Sequence, residues 1–270
     1  MIDVQRLHAG PVPDVPAPPA RLGRTLAATF GLALVFALAA RVVELRPLEL
    51  LRDAGNIGVF LRGYLHPSFA HVGEYAWQCV VTLCIALWGT VIAVVIAVPL
   101  GFLGARNVSP HPLVYLAARR AMDVLRSVNE FVFALMFVAA VGLGPFAGLL
   151  ALGIHTGGVL GKLLSETVEA IDPGQVDGVA AVGASAAHVI AFGVVPQIAP
   201  NFVSFVLLRF ESDIRSATVI GMIGGGGIGF HLWDTIRAFN DRETATVILL
   251  IVAMVMAADV ISSRIRRAVI

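Results

Sequence analysis

Residues 172–185 read DPGQVDGVAAVGAS, and this stretch decides how the surrounding chain is expected to fold. Asp172 is a favourable helix N-cap, and Pro173 suits the first helical position, where no backbone N–H is needed. Gln175 stands three residues after Asp172, which is the spacing that closes a capping box. The beginning of the stretch therefore predicts a short helix that starts at Pro173.

The second half of the same stretch predicts where that helix ends. Gly183 can stop it by adopting a left-handed turn, and Ser185 can cap a second helix that leads into the next apolar segment. A short, weakly charged, alanine-rich helix has little reason to stand alone on a surface. It is typical of a helix that inserts into a groove on a partner protein, with an ordinary interhelical loop as the alternative.

The composition places this stretch in a membrane protein. Of the 270 residues, 58% are hydrophobic and only 14% are charged, against about 45–50% and about 25% in soluble domains. So few charges could not cover a soluble globule of this size. The net charge of +1 argues against a nucleic-acid partner, which would need a basic face. We therefore expect an all-α integral membrane protein embedded in the lipid bilayer.

Six apolar segments are long enough to span, since a spanning helix needs about 20 residues. Glycines before Pro145 separate the third segment from the fourth, so the third is expected to begin early, near Met122. The predicted spans are 25–43, 77–103, a third from about 122, 145–164, 187–208 and 245–263. We assign 1–24 to a Pro-rich cytoplasmic arm, 25–76 to the first span and an extracytoplasmic loop, and 77–270 to the transmembrane domain, with its loop at about 172–186.

The arginines predict the orientation. Lys and Arg are modestly more frequent in the flanks that face the cytoplasm if both termini lie inside. The group Arg264, Arg266 and Arg267 near the C-terminus is the clearest part of this bias. The positive-inside rule therefore predicts that both termini are cytoplasmic.

Charged residues follow the fifth predicted span and are candidates for a transport pathway. Glu211, Asp213 and Arg215 are expected at its outer end, and charges near a membrane interior mark pathways or pairs. Glu211 and Arg215 are four residues apart, the spacing of an ion pair on one helix face. If the cargo is a phosphorus oxyanion, Arg215 is the natural cation for its oxygens and Glu211 would hold Arg215 in place. The alternative is a solvated helix end.

A glycine-rich segment comes next, at residues 221–229, and reads GMIGGGGIG. Its GxGxxG spacing does not indicate a dinucleotide site, because no strand precedes it. It is instead expected to be a hinge or a re-entrant stretch that lines a cavity, where freed N–H groups could form an anion-binding nest. Its candidate pathway residues are Gly224, Gly225, Gly226 and Gly227.

The spacing of the stretch first quoted resembles the signature loop of bacterial ABC-importer permeases. That loop reads Glu-Ala-Ala, three residues, Gly, nine residues, Ile, one residue, Leu-Pro. Here the matching positions are Asp177, Gly178, Val179, Gly183, Gly193, Val195 and Pro196. Several short segments are similar to the phosphonate-type subfamily of these permeases. They are ARN at 105–107, ARR at 118–120, IDPG at 171–174, VPQ at 195–197, RFE at 209–211, IRSAT at 214–218 and the glycines of 224–229. Asp213 departs from it, since Asn is expected there.

The resemblance implies a type I ABC importer permease of about six spans in the bacterial plasma (inner) membrane, with a coupling helix at about 173–183. It implies ATP-driven alternating access that carries phosphonate, phosphate or phosphite inward. Its implied partners are a second copy of the chain, two ABC ATPase subunits that bind ATP and Mg, and an extracytoplasmic solute-binding protein. The implied coupling residues are Asp172, Pro173, Gln175, Asp177, Gly178, Val179, Gly183 and Ser185.

No cofactor, metal site or catalytic residue is expected in this chain. Its two cysteines, Cys79 and Cys84, lack the further Cys or His ligands of a metal site. A secondary transporter or channel for a small anion, working without an ATPase, is the alternative function. A membrane enzyme would need a catalytic constellation that the sequence lacks.

Overall fold

The computed structural model describes residues 22–52 and 54–269, and within these ranges every regular element is helical. The predicted N-terminal arm lies almost wholly outside the described residues. The chain divides into two units between Val59 and Phe60. The prediction of an all-α protein is confirmed for the described residues.

The first unit contains α1 (Leu22–Val42), α2 (Pro47–Arg52) and most of α3 (Ala54–Tyr64). No residue of the stretch Thr25–Val42 is buried within the structure, and the stretch is long and apolar enough to cross a membrane. An apolar helix that buries none of its surface in protein is suited to contact with lipid. This helix matches the first predicted span.

The second unit holds the remaining helices. They are α4 (Val72–Leu103), α5 (Pro112–Ser127), α6 (Glu130–Val141), α7 (Pro145–Glu169), α8 (Pro173–Ala181), α9 (Ala186–Val189), α10 (Val195–Ile220), α11 (Ile228–Arg237) and α12 (Asp241–Val269). Two π-helical turns join them, Ile190–Val194 between α9 and α10, and Gly221–Gly225 after α10. Among the described residues, five helical segments are long and apolar enough to span, and α5 with α6 makes a sixth if the pair is one span.

The third predicted span is wrong as a single helix. The chain bends by 85° between α5 and α6. Val128 is extended, and the side chain of Asn129 accepts a hydrogen bond of 2.9 Å from the backbone N–H of Phe131. Asn is a strong N-cap because its short side chain satisfies a free N–H of the first turn. Asn129 therefore starts a new helix within the segment that the sequence predicts as one span.

Four other helix boundaries also differ from the sequence expectation. Helix α4 begins at Val72 rather than near residue 77, and α12 extends beyond 245–263 at both ends. Helix α10 continues to Ile220 instead of ending near residue 208. The predicted outer end of span five is therefore the interior of α10. A helix can continue through charged residues when neighbouring helices supply their partners, as described below.

Glycines bring α4 and α7 into close contact, as their small-residue spacing predicts. A Cβ added at Gly153 would lie 2.6 Å from Cγ2 of Ile92, and one added at Gly157 would lie 3.0 Å from Cβ of Ile96. Ile85, Leu152, Ile214 and Val247 then join α4, α7, α10 and α12 in one buried cluster. This tight packing fixes the positions of the polar side chains that these helices carry.

Candidate functional site

Helix α8 begins as the sequence predicts. Asp172 is its N-cap, and Oδ1 of Asp172 accepts a hydrogen bond of 2.9 Å from the backbone N–H of Gly174. Pro173 occupies the first helical position. The helix ends at Ala181, close to the predicted 183. Its start is therefore set by local signals within one turn.

The predicted capping box is wrong in its second partner. The backbone N–H of Asp172 donates to Oε1 of Gln197 at 3.0 Å, not to Gln175. The same Gln197 side chain donates from Nε2 to the carbonyl of Gly193 at 2.6 Å. Gln197 thus joins the start of α8 to the start of α10, a role that sequence spacing could not reveal because the partners are far apart in the chain.

The turn after α8 also forms as expected. Gly183 has a φ of +82°, a left-handed conformation that favours glycine. Ser185 is the N-cap residue of α9, but its hydroxyl lies 2.7 Å from Nδ1 of His188 and makes no hydrogen bond to the backbone. The helix–turn–helix is therefore confirmed, while the side-chain cap expected of Ser185 is replaced by a contact with His188.

Helix α8 packs through one side and leaves the other exposed. A Cβ added at Gly193 would lie 3.3 Å from Cα of Val176, so the missing side chain allows α8 to approach the π-helical turn. Val176 joins a cluster with Leu164 and Val194. No residue of α8 is buried, and Val182 just beyond it is 83% exposed. Asp177 and Gly178 lie on the exposed surface, and Val179 is half-buried.

The end of α7 that leads to α8 is tied to the turn between α4 and α5. Arg119 Nη2 lies 2.7 Å from Oε2 of Glu169, and Oε1 of Glu169 accepts a hydrogen bond of 2.8 Å from the backbone N–H of Arg106. Asn107 donates from Nδ2 to the carbonyl of Val168 at 2.7 Å. These bonds join the end of α7, which α8 follows closely in the chain, to α5 and to the turn between α4 and α5.

Asp213 lies at the centre of the second unit rather than at a helix end. Only 2% of the surface of Asp213 is exposed. Oδ2 of Asp213 accepts a hydrogen bond of 3.0 Å from the hydroxyl of Thr90, and Oδ1 accepts one of 2.8 Å from the hydroxyl of Thr156. A buried carboxyl needs such partners to offset its desolvation. Asp213 thus holds α4, α7 and α10 together.

Glu211 and Arg215 do not form the predicted pair. Oε1 of Glu211 lies 2.6 Å from Nη2 of Arg266, whereas Nη1 of Arg215 lies 3.4 Å from Oδ1 of Asp259. Both partners belong to α12, and tertiary packing therefore overrides the spacing of four residues within α10. The three predicted pathway residues of α10 are not brought into one site.

Another polar group lies beside the break between α5 and α6. His155 Nδ1 lies 2.9 Å from the carbonyl oxygen of Val128, and His155 Nε2 lies 3.3 Å from Oε2 of Glu130. The hydroxyl of Ser216 donates to Oε1 of Glu130 at 2.9 Å. This group connects α6, α7 and α10, and no spacing in the sequence indicates it because its members are widely separated in the chain.

The glycine-rich segment forms an irregular turn packed within the protein. Gly224, Gly226 and Gly227 have φ values of +102°, +79° and +74°. The carbonyl of Gly224 accepts a hydrogen bond of 2.8 Å from the N–H of Gly144, and the N–H of Ile228 donates to Oγ1 of Thr82 at 2.9 Å. Irregular backbone at membrane depth needs partners of this kind. A contact between these glycines and the cargo stays a prediction.

Comparison with known proteins identifies relatives of this arrangement. The family model described as binding-protein-dependent transport system inner membrane component matches residues 97–270. The chain is 38% identical over 218 residues to the phosphite transport system permease protein PtxC of Stutzerimonas stutzeri, a match that covers 81% of this chain and 79% of PtxC.

Two further relatives match this chain, but each match covers less than half of one of the two proteins compared. The phosphate-import permease protein PhnE of Mycolicibacterium smegmatis is 37% identical over 212 residues, which cover 78% of this chain and 40% of that protein. The putative cryptic phosphonate transport system permease protein PhnE2 of Escherichia coli is 52% identical over 119 residues, which cover 44% of this chain and 98% of that protein.

Solved structures share the fold. An inward-facing structure of the MetNI methionine ABC transporter has a TM-score of 0.63 at 19% identity, covering 73% of this chain and 95% of that chain. An amino acid ABC transporter crystallised with histidines has a TM-score of 0.60 at 18% identity, covering 74% and 98%. The fold is therefore that of type I ABC importer permeases, as the sequence resemblance implied.

Proposed function

Because this chain belongs to the family of binding-protein-dependent transport system inner membrane components, we propose that it carries a phosphorus oxyanion inward by ATP-driven alternating access. The chain is the membrane-spanning permease subunit of an ABC importer.

The observation that carries the proposal is the geometry of α8. This short helix starts at a capped Asp172, ends before a left-handed Gly183 and exposes the side that faces away from the bundle. Gln197 and Glu169 tie its surroundings to α10, α4 and α5. A short exposed helix that is firmly connected to the bundle can transmit movement of a docked partner. In our proposal, α8 is the coupling helix, seated in a groove of an ABC ATPase that binds ATP and Mg.

The proposed cargo is phosphonate, phosphite or phosphate. PtxC, PhnE and PhnE2 are named for transport of phosphite, phosphate and phosphonate respectively. These three anions share tetrahedral phosphorus with charged oxygens, which cationic side chains recognise. An extracytoplasmic solute-binding protein would choose among them before the cargo reaches this chain.

The proposed assembly contains two copies of this chain, two ATPase subunits and one binding protein in the bacterial plasma membrane. Both termini are proposed to be cytoplasmic, with Arg264, Arg266 and Arg267 on the inner side. This orientation places α8 in the cytoplasm, where the ATPase resides.

The decisive experiment is purification of the tagged chain from native membranes in gentle detergent, followed by mass spectrometry and reconstitution in vesicles. We expect one ABC ATPase per permease chain, and uptake of a labelled phosphorus oxyanion that requires both ATP and the binding protein. If the chain purifies without an ATPase at every salt concentration and still transports, it is an autonomous transporter and the proposal is wrong.

A further inference from the structure

A polar groove runs between α5 and α7 along the half of α7 that leads to α8. It encloses about 460 Å³ and is lined mainly by Asp123, Arg126, His155, Lys162 and Glu166. This volume lies within the range of about 300–1,000 Å³ that is usual for small-molecule sites. We call this feature the α5–α7 groove.

The groove reaches the middle of the membrane-spanning part of α7. Successive residues of α7 rise 1.5 Å, so His155 lies about 15 Å along the axis from Pro145, half of a hydrocarbon layer of about 30 Å. His155, Lys162 and Glu166 recur at helical spacing and therefore share one side of α7. Ionisable residues within a span face the bundle interior or a water-filled cavity rather than lipid.

The break between α5 and α6 lies at the end of the groove that is deepest in the membrane. The carbonyl of Val128, which lies in this break, contacts Nδ1 of His155 at 2.9 Å. Non-helical backbone at membrane depth is tolerated where it is buried in protein or lines an aqueous cavity. The ionisable residues on one side of α7 and the helix break therefore both indicate that water enters the groove as far as His155.

Lys162 is the cation of the groove that is most available to a ligand. Its Nζ forms long ion pairs with Oδ1 of Asp123 at 3.8 Å and Oε1 of Glu166 at 3.9 Å, and both distances exceed hydrogen-bond range. The neighbouring Arg126, by contrast, lies 3.1 Å from Asp123. The side chain of Lys162 is only 17% exposed, and among the described residues its ammonium makes no hydrogen bond. Its three N–H donors are therefore available to oxyanion oxygens.

We infer that the α5–α7 groove is the cytoplasmic half of the transport pathway and that Lys162 binds the oxyanion cargo within it. The inference rests on the proposed function, which supplies the cargo and the orientation. The carboxylates of Asp123 and Glu166 keep the groove close to neutral, so the anion is held weakly and can leave. This site replaces the α10 residues as the main cationic contact of the cargo.

The first test is uptake by reconstituted transporters that carry Lys162→Gln. We expect the rate at low cargo concentration to fall about tenfold or more, since one charged hydrogen bond is lost, and Lys162→Arg to restore most of it. Arg120→Gln is the matched control, because it removes the same charge from an exposed position of α5 outside the groove. Uptake by Lys162→Gln equal to that of the control would overturn the assignment of Lys162.

The second test measures water in the groove with a membrane-impermeant maleimide applied to inside-out vesicles. Val159→Cys, which lines the groove, is compared with Val95→Cys, an exposed position of α4 at a similar depth. Both are made in a chain with Cys79→Ser and Cys84→Ser. We expect Val159→Cys to react at least tenfold faster, and equal rates would exclude an aqueous groove.

These tests separate the two proposals. If unmodified transporters show no ATP-dependent uptake and retain no ATPase, the proposed function fails. If they transport normally while Lys162→Gln matches its control and Val159→Cys stays unreactive, only the groove is wrong.

Discussion

At the scale of single residues, the most constrained position is Asp213. Its two carboxyl oxygens accept hydrogen bonds from Thr90 and Thr156, which are 5% and 0% exposed. The hydroxyl of Thr90 also lies 2.8 Å from the carbonyl of Ala86. An amide fits this site as well as a carboxyl does, because the hydroxyl of Thr90 can donate to the carbonyl of Ala86 while its oxygen accepts a hydrogen bond from the amide N–H. The subfamily's expected Asn is therefore compatible with the same geometry.

We predict that Asp213→Asn folds and transports nearly as the unmodified chain does, whereas Asp213→Ala is destabilised by about 1–3 kcal/mol because the hydroxyl of Thr156 loses its partner. The check is thermal unfolding of the purified proteins in detergent, with uptake measured in parallel. If Asp213→Asn lost uptake while its thermal stability was unchanged, the charge itself would be required.

Arg215 poses a different question, because its ion pair with Asp259 is half-exposed. Exposed ion pairs contribute only about 0–1 kcal/mol, so Arg215→Ala is expected to leave assembly intact. We predict that this variant nevertheless reduces uptake, since it removes the second candidate cation for the cargo's oxygens. Asp259→Asn is the control, because it breaks the same ion pair and keeps the cation. Equal uptake by Arg215→Ala and the unmodified chain would contradict the prediction.

At the scale of elements, the helix–turn–helix formed by α8 and α9 combines local and distant control. Its start at Asp172 and its turn at Gly183 follow from residues within the segment. Its attachment to the bundle depends on Gln197, whose side chain bonds both Asp172 and Gly193. The ends of α8 are therefore set by residues within the segment, whereas its attachment to α10 depends on tertiary packing.

We predict that Gly183→Leu weakens retention of the ATPase by about 5- to 30-fold, because a left-handed non-glycine residue costs about 1–2 kcal/mol. No atom lies within 4 Å of a Cβ at Gly183, so the cost comes from the backbone and not from a clash. The measurement is the amount of ATPase that co-purifies per permease chain. Gly73→Leu serves as control, since it adds the same side chain to an open helical position. Full ATPase retention and coupled uptake in Gly183→Leu would refute the prediction.

At the scale of the whole molecule, the proposed mechanism requires a fixed orientation. Helix α8 must lie on the side of the membrane on which ATP is present, and the α5–α7 groove must open to that side. The C-terminal arginines supply the strongest charge bias, and Arg266 also pairs with Glu211 inside the described structure. The C-terminal end of α12 therefore contributes both to the orientation of the chain in the membrane and to the ion pair with α10.

We predict that a fluorescent protein fused to the C-terminus folds and fluoresces in the cytoplasm, and that a phosphatase active only outside the membrane is inactive at the same position. The pair of fusions forms its own control, because each reporter is active where the other is not. An active phosphatase fusion would reverse the topology and place α8 away from the ATPase.

The sequence by itself determined the class of protein and the form of α8. Its apolar composition excluded a soluble chain, and N-cap, proline and glycine signals act within a single helical turn, so that Asp172, Pro173 and Gly183 were predictable. The spacing of the signature loop, together with the similar phrases around it, also indicated the family.

Only the tertiary structure decided the full length of α10 and the partners of its charges, whereas the break at Asn129 is a local signal that the hydropathy pattern missed. Hydropathy averages over about a helix length and passes over a single cap. The partners of Glu211, Asp213, Arg215 and Lys162 lie on other helices, where sequence spacing gives no distance. The α5–α7 groove exists because packing brings the polar side chains of α5 and α7 together. These residues are far apart in the chain, and no local sequence pattern predicts their contact.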